Sequence, residues 1–296
     1  MTLPRIGVFD SGVGGLTVLK AMAEQLPARY IYFGDTARLP YGTKSADTVA
    51  RYAIAATRFL EKQNIDLLVI ACNTATALAL PAIKQAARVP VVGVVEPGAA
   101  AAAEISKSRS AIVIATDATV SSHAYRDALQ RHGLQALEKA CPLFVPLVEE
   151  GWIEHPVTEQ VAKIYLGDAA AQAPEGADVL VLACTHYPLI APLLRRIVPA
   201  KMEIVDSAES TARVVRKMIE EDMIFHPPER NEAAPSDSCH PERSRRNPIS
   251  TLQPSEHRTF RFYVTDSVDK FKRLATRFLG RQVDNVEHVD LENVIS

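Results

Sequence analysis

Two cysteines stand out by their settings. Cys72 closes the run Leu68-Val-Ile-Ala-Cys-Asn-Thr, and Cys184 closes Leu180-Val-Leu-Ala-Cys-Thr-His. Each ends an apolar, strand-like stretch and is followed by hydrogen-bonding residues, Asn73 and Thr74 in one case, Thr185 and His186 in the other. A proline then follows nine residues after Cys72 and eight after Cys184. A lone cysteine in such surroundings reads as a small apolar core residue. A matched pair at strand ends, each ahead of an expected helix whose N-terminus would lower a thiol pKa, points to chemistry instead. Disulfide exchange usually employs cysteines close in sequence, and cysteine–histidine hydrolysis would leave the second thiol without a task. Cys184 and His186 supply only two ligands for a metal. Two thiols on opposite sides of one ligand suit two-base proton transfer. One thiolate removes a proton from carbon while the opposite thiol delivers one to the other face, which inverts a stereocentre.

The glycine-rich turn Asp10-Ser-Gly-Val-Gly-Gly is the other candidate for chemistry. A dinucleotide fingerprint starting at Gly12 would need glycine or alanine where Thr17 stands, and no Gly-Lys-Ser/Thr of a P-loop occurs. What remains is a turn of backbone donors suited to a carboxylate or phosphate. The plainer alternative is a tight strand-to-helix turn capped by Asp10 or Ser11.

These motifs need elements to hold them. Apolar runs at 6–9, 30–33, 67–71, 91–95, 111–115, 143–145, 179–183, 203–205 and 260–264 alternate with helix-like segments. Fully apolar strands of this kind belong to parallel sheets covered on both faces, so the expected fold class is α/β. The echo between the two cysteine segments suits two related halves, each presenting a thiol at the carboxyl edge of its sheet, where ligands of open α/β sheets bind. With 296 residues the chain has room for two such domains.

Composition narrows the class further. Hydrophobic residues make up 47% and charged residues 23%, with 33 Lys+Arg against 35 Asp+Glu and a net charge of −2. A nucleic-acid partner is not expected from that balance. The apolar runs are far shorter than a membrane helix requires, so no membrane partner is expected. The first residues run directly into a strand-like segment without an apolar leader, which makes a cytoplasmic location the expectation. Four cysteines without a CxxC pair argue against a disulfide scaffold and a structural zinc. Residues 226–257 hold six prolines and five serines, with Ile249 and Leu252 as their only large apolar residues. This stretch reads as a disordered insertion, with Cys239 incidental and Arg243-Ser-Arg-Arg part of a solvated loop.

The chain resembles the glutamate racemases of the cofactor-independent aspartate/glutamate racemase superfamily. The resemblance rests on Asp10-Ser-Gly-Val-Gly-Gly-Leu-Thr-Val, Gly34-Asp-Thr, Leu39-Pro-Tyr-Gly, Ala71-Cys-Asn-Thr-Ala, Glu96-Pro-Gly, Ala118-Thr-Val, Val148-Glu-Glu-Gly and Ala183-Cys-Thr-His-Tyr-Pro-Leu. It runs from about residue 5 to residue 225 and resumes at 260–280; residues 226–257 have no counterpart in it. The cysteine motifs are shared across the superfamily, whereas residues 10–15 together with Pro40, Tyr41 and Gly42 point to the glutamate branch.

The resemblance implies that Cys72 and Cys184 are the acid/base thiols, assisted by Asp10 and His186. It implies that Asp10, Ser11, Tyr41, Gly42, Asn73, Thr74, Thr119, Glu150, Thr185 and His186 hold glutamate or tune the thiols. It further implies two similar α/β domains with the site in the cleft between them, 1–97 plus 210–296 as the first and 98–209 as the second. No cofactor and no metal are expected, a homodimer is the expected assembly, and D-glutamate would feed peptidoglycan synthesis. An aspartate-directed relative and a non-catalytic amino-acid-binding protein are the alternatives; a thiol on each face has no use in binding alone.

Overall fold

The computed structural model describes residues 3–221 and 258–291. The first sheet takes strands from both ends of the chain: β1 (Arg5–Asp10), β2 (Arg29–Gly34), β3 (Leu67–Ile70), β4 (Val91–Gly93), β9 (Thr259–Val264) and β10 (Val286–His288). Their order is β10–β9–β2–β1–β3–β4, and every pairing is parallel. The second sheet comprises β5 (Ser110–Ala115), β6 (Gln135–Ala140), β7 (Val179–Ala183) and β8 (Glu203–Asp206), ordered β6–β5–β7–β8 and also all parallel. The chain thus crosses between the sheets twice, once after β4 and once after β8.

Register decides what reaches the edge. Phe9 of β1 lies opposite Phe33 and Ile70, so Asp10, Gly34 and the Ala71–Cys72 step leave the first sheet level with one another. In the second sheet Ala115 lies opposite Ala140 and Ala183, which brings Thr116, Cys141 and Cys184 out together. The central strands β1, β3, β5 and β7 are almost wholly buried, as continuous apolar runs covered on both faces must be.

The helices are α1 (Leu16–Gln25), α2 (Ala46–Lys62), α3 (Asn73–Ala86), α4 (Val95–Ile105), α5 (Asp117–Ser122), α6 (Ala124–Arg131), α7 (Phe144–Glu150), α8 (Pro156–Gln172), α9 (Ala191–Ile197), α10 (Ser207–Glu220) and α11 (Val268–Leu279). Helix α11 shows why such segments fold as they do. The Ser267 side chain accepts from the Lys270 N–H at the start, and Gly280 ends the helix in the left-handed region at φ 71°. Between them Phe271, Leu274, Ala275 and Phe278 recur at helical spacing and are buried. Phe271 packs on Tyr32 and Phe262 at centroid distances of 5.9 and 6.0 Å, seating the helix on the first sheet. One continuous apolar core runs from α1 and β1 through α10 and α11 to β7.

Two expectations about strands are corrected. Residues 143–145 are not a strand: Phe144 and Val148, one helical turn apart, are both buried as part of α7. The strand there is β6, a half-buried edge carrying Glu138 and Lys139, which its mixed composition concealed. Residues 94 and 95 do not extend β4 but open α4. The cut points proposed at 97/98 and 209/210 fall inside α4 and α10, helices that pack on each other and join the two halves. The 226–257 stretch and Cys239 lie outside the described residues. Among the described residues, no helix is long and apolar enough to cross a membrane.

Candidate active site

Both thiols open onto one cavity of about 450 Å³ between the two sheets' carboxyl edges. From the first half its wall is built by Ser11, Leu39 to Thr43, Cys72, Asn73, Thr74 and Lys270. The second half adds Thr116, Asp117, Pro142, Val145, Pro146, Glu149, Cys184, Thr185 and His186.

Cys72 caps α3, its sulfur accepting from the Ala75 N–H at 3.4 Å. Its S–H donates to Ser11 Oγ at 3.5 Å. A helix N-terminus was expected to lower this thiol's pKa. Burial outweighs it: with the negative charge of Asp10 adding to the effect, the thiol is pushed up to about 12. Cys72 is therefore held as a protonated donor.

Cys184 has different surroundings. No α-helix begins behind it; a 3₁₀ turn at Tyr187–Ile190 comes first, and α9 follows. Its partner is His186, whose Nδ1 stands 4.0 Å from the sulfur. The other ring nitrogen, Nε2, lies 3.1 Å from Glu149 Oε1. Burial alone would lower the histidine pKa, but the bonds to Cys184 and Glu149 prevail and hold it at about 10. Glu149 responds in kind: burial would raise its carboxyl, yet the His186 bond and charge bring it below its usual range. A protonated ring donates from both nitrogens, one toward sulfur and one to carboxylate.

The glycine-rich turn proves to serve this architecture. Its backbone takes an anion from within, since the Gly12 N–H donates to Asp10 Oδ2 at 2.8 Å. A Cβ on Gly14 would come within 2.2 Å of Thr185 Oγ1 and 2.6 Å of His186 Nδ1. Only glycine lets the two halves approach this closely.

The profile of the Asp/Glu/hydantoin racemases matches residues 6–215. The chain belongs to that racemase family. It is 61% identical to the glutamate racemase of Koribacter versatilis, over 97% of this chain and 98% of that protein. Identity with the glutamate racemase of Geobacter metallireducens is 42%, over 97% of each. The crystal structure of Francisella tularensis glutamate racemase in complex with D-glutamate superposes with a TM-score of 0.82 at 31% identity, covering 99% of this chain and all 100% of that one.

The family member's cavity gathers most of the residues singled out in the sequence, with three outside its wall. Ser11, Tyr41, Gly42, Cys72, Asn73, Thr74, Cys184, Thr185 and His186 line it. Asp10 lies behind Cys72, almost fully buried, and burial raises its carboxyl pKa. Thr119 is also behind the wall, its hydroxyl 3.2 Å from Thr74 and 3.0 Å from Thr116 in a cluster that bridges the halves. Glu150 does not reach the wall, which its neighbour Glu149 lines instead. Adjacent helical residues point about 100° apart, so when Glu149 faces His186 its neighbour faces solvent. Tyr41 contributes its ring, because its hydroxyl donates to buried Asp35 at 2.6 Å. Asn73 likewise spends its carbonyl on the Tyr125 hydroxyl at 2.6 Å.

The environments of His186 and Cys72 imply a pH-dependent stability for the racemase. A histidine raised from 6.5 to about 10 contributes stability that is complete below pH 6.5 and is lost as pH rises toward 10. A thiol raised to about 12 acts in the same sense, because the unfolded chain loses that proton first. Denaturant midpoints are expected to fall steadily from pH 6.5 to 10, and Glu149→Gln should flatten that slope. A flat wild-type profile would contradict the His186–Glu149 assignment.

Proposed function

We propose that this racemase interconverts L- and D-glutamate by proton transfer between Cα and the thiols of Cys72 and Cys184. The observation that carries the reading is that both sulfurs line one cavity, each from the carboxyl edge of a different sheet. Their unlike partners set a starting state: Cys72 protonated, and Cys184 beside a histidine cation.

With L-glutamate, a Cys184 thiolate takes the Cα proton and becomes a thiol. The electron pair left on Cα delocalises into the α-carboxylate. Cys72 then delivers its proton to the opposite face and is left as a thiolate, giving D-glutamate. The reverse reaction starts from Cys72, an assignment supported by the family resemblance. The developing charge is the costly part of the step, and fixed donors in a water-poor cavity stabilise it better than solvent does. Ser11, Thr74, Thr116 and Thr185 supply hydroxyls, the start of α3 supplies backbone N–H groups that lack a partner within the helix ladder, and Lys270 places a cation at the cavity's edge. Asp10 acts through Cys72, and the His186–Glu149 pair through Cys184.

The reading extends to D-glutamate supply for peptidoglycan synthesis in the cytoplasm, supported by the resemblance and by the relatives' shared name. It also includes a homodimer, supported by Leu143, Trp152, Val157 and Ile164, large apolar side chains exposed within one short stretch.

Circular dichroism of either glutamate enantiomer, with purified enzyme in EDTA and without pyridoxal phosphate, tests the substrate and the chemistry together. The signal is expected to decay to zero from both sides, with aspartate turned over far more slowly. Preference for aspartate, or strict dependence on an added cofactor, would overturn the proposal.

A further inference from the structure

Helix α11 sits on the first sheet, yet its last turn holds the helix that carries Glu149. Arg277 Nη1 donates to the carbonyl oxygen of Val148 at 3.1 Å and also to that of Glu149. The final carbonyls of a helix lack intrahelical partners, and a cation there is favoured by the helix dipole. Gly151, which ends α7 at φ 86°, leaves room for this contact: a Cβ there would meet Arg277 Nη2 at 2.6 Å and Cζ at 2.9 Å. The next residue, Phe278, places its ring edge-on to His186 with 5.2 Å between centroids. Two consecutive side chains of the first half thus hold both members of the pair that serves Cys184.

We propose that Arg277 is a positioning residue, fixing the backbone of Glu149 and, through its carboxylate, the His186 ring against Cys184. Arg277 does not line the cavity that contains the two thiols. The arrangement makes the second thiol's environment depend on contact between the halves, whereas Cys72 takes its partners, Ser11, Asp10 and the Ala75 N–H, from its own half. The groups facing His186 and Cys184 are Glu149 from α7, Asp10 from β1, Lys270 from α11, and Tyr125, Tyr187 and Cys141 around the sulfur. None of these is expected to titrate differently in direct response to loss of Arg277 except through movement of Glu149. The functional meaning rests on the two-thiol reading above, but the linkage itself is measurable without turnover.

The test is iodoacetamide alkylation of the full-length protein from pH 6 to 10, resolved by peptide mass spectrometry into Cys72 and Cys184. In Arg277→Met the midpoint of Cys184 alkylation is expected to rise by about one pH unit, the scale of a displaced opposite charge, while the slow alkylation of Cys72, whose thiol stays protonated across this range, is unchanged. Arg277→Lys keeps a donor for the carbonyls and should restore at least half of the shift. Adding Glu149→Gln to Arg277→Met should shift Cys184 little further, since both act along one path. In glutamate assays kcat should fall roughly tenfold with KM within about twofold. Faster alkylation of Cys72 alongside the Cys184 shift would reveal general loosening and overturn the proposal, as would an unmoved Cys184. Should Arg277→Met fail to fold, Arg277→Lys carries the comparison, with a smaller shift confined to Cys184 expected and its absence decisive. Failure of glutamate turnover in the wild type would sink the functional reading and leave the alkylation result standing on its own.

Discussion

Cys72→Ala and Cys184→Ala are each expected to lower racemisation by roughly 10³–10⁴-fold or more, the scale of a lost general acid or base. Each turnover needs one group to take a proton and another to give one, so neither variant retains half the activity. Serine replacements should also lose most of it, because a hydroxyl is a far weaker base than a thiolate. The sharper measurement is isotopic. In D2O the wild-type enzyme should place solvent deuterium at Cα in the product enantiomer during early turnover, with the remaining substrate unlabelled. A single shared base would return label to the starting enantiomer as readily. That pattern, or near-normal turnover by either alanine variant, would remove Cys72 and Cys184 as the catalytic couple.

Gly14→Ala is expected to have the next largest effect, although Gly14 bears no side chain and performs no chemistry. The added methyl would overlap Thr185 Oγ1 and the His186 ring, both anchored by the second sheet. Overpacking of this kind costs about 1–3 kcal/mol in stability. The larger effect falls on geometry: displacing His186 and Thr185 by even about 1 Å should reduce kcat roughly 10²-fold. Thermal unfolding and kcat measured on the same sample check both parts. Full activity in Gly14→Ala would show that the close approach is not required for turnover.

Much of this arrangement is legible in the sequence, and the reasons for the rest are physical. The strands at 67–71 and 179–183 declare themselves because both faces are covered, and every side chain is therefore apolar. Cys72 and Cys184 are visible because the same local pattern occurs twice. β6 is hidden because an edge strand carries charges such as Glu138 and Lys139. Residues 143–145 mislead because three apolar residues in a row fit a strand as well as a buried helical turn. Glu149 and Glu150 are adjacent acids, and only the azimuth of α7 distinguishes them. Lys270, Pro142, Val145 and Pro146 reach the cavity through tertiary packing, with no local signature to mark them. The glycine-rich turn was legible as an anion cradle, but its anion is its own Asp10.

The double crossing between the sheets would also limit how one half could move against the other. A body tethered at one point can swing, twist and slide. Tethered at two, by the passages after β4 and after β8, it keeps chiefly the rotation about the line joining them. Widening the cavity to admit a substrate then amounts to turning about one axis, and shutting it retraces the same arc. An inversion at carbon demands donor and acceptor on a nearly straight line through the reacting atom, an alignment that sideways slip would destroy. Two covalent passages would confine any such motion to a path along which that line, on the two-thiol reading proposed above, is recovered at every closure.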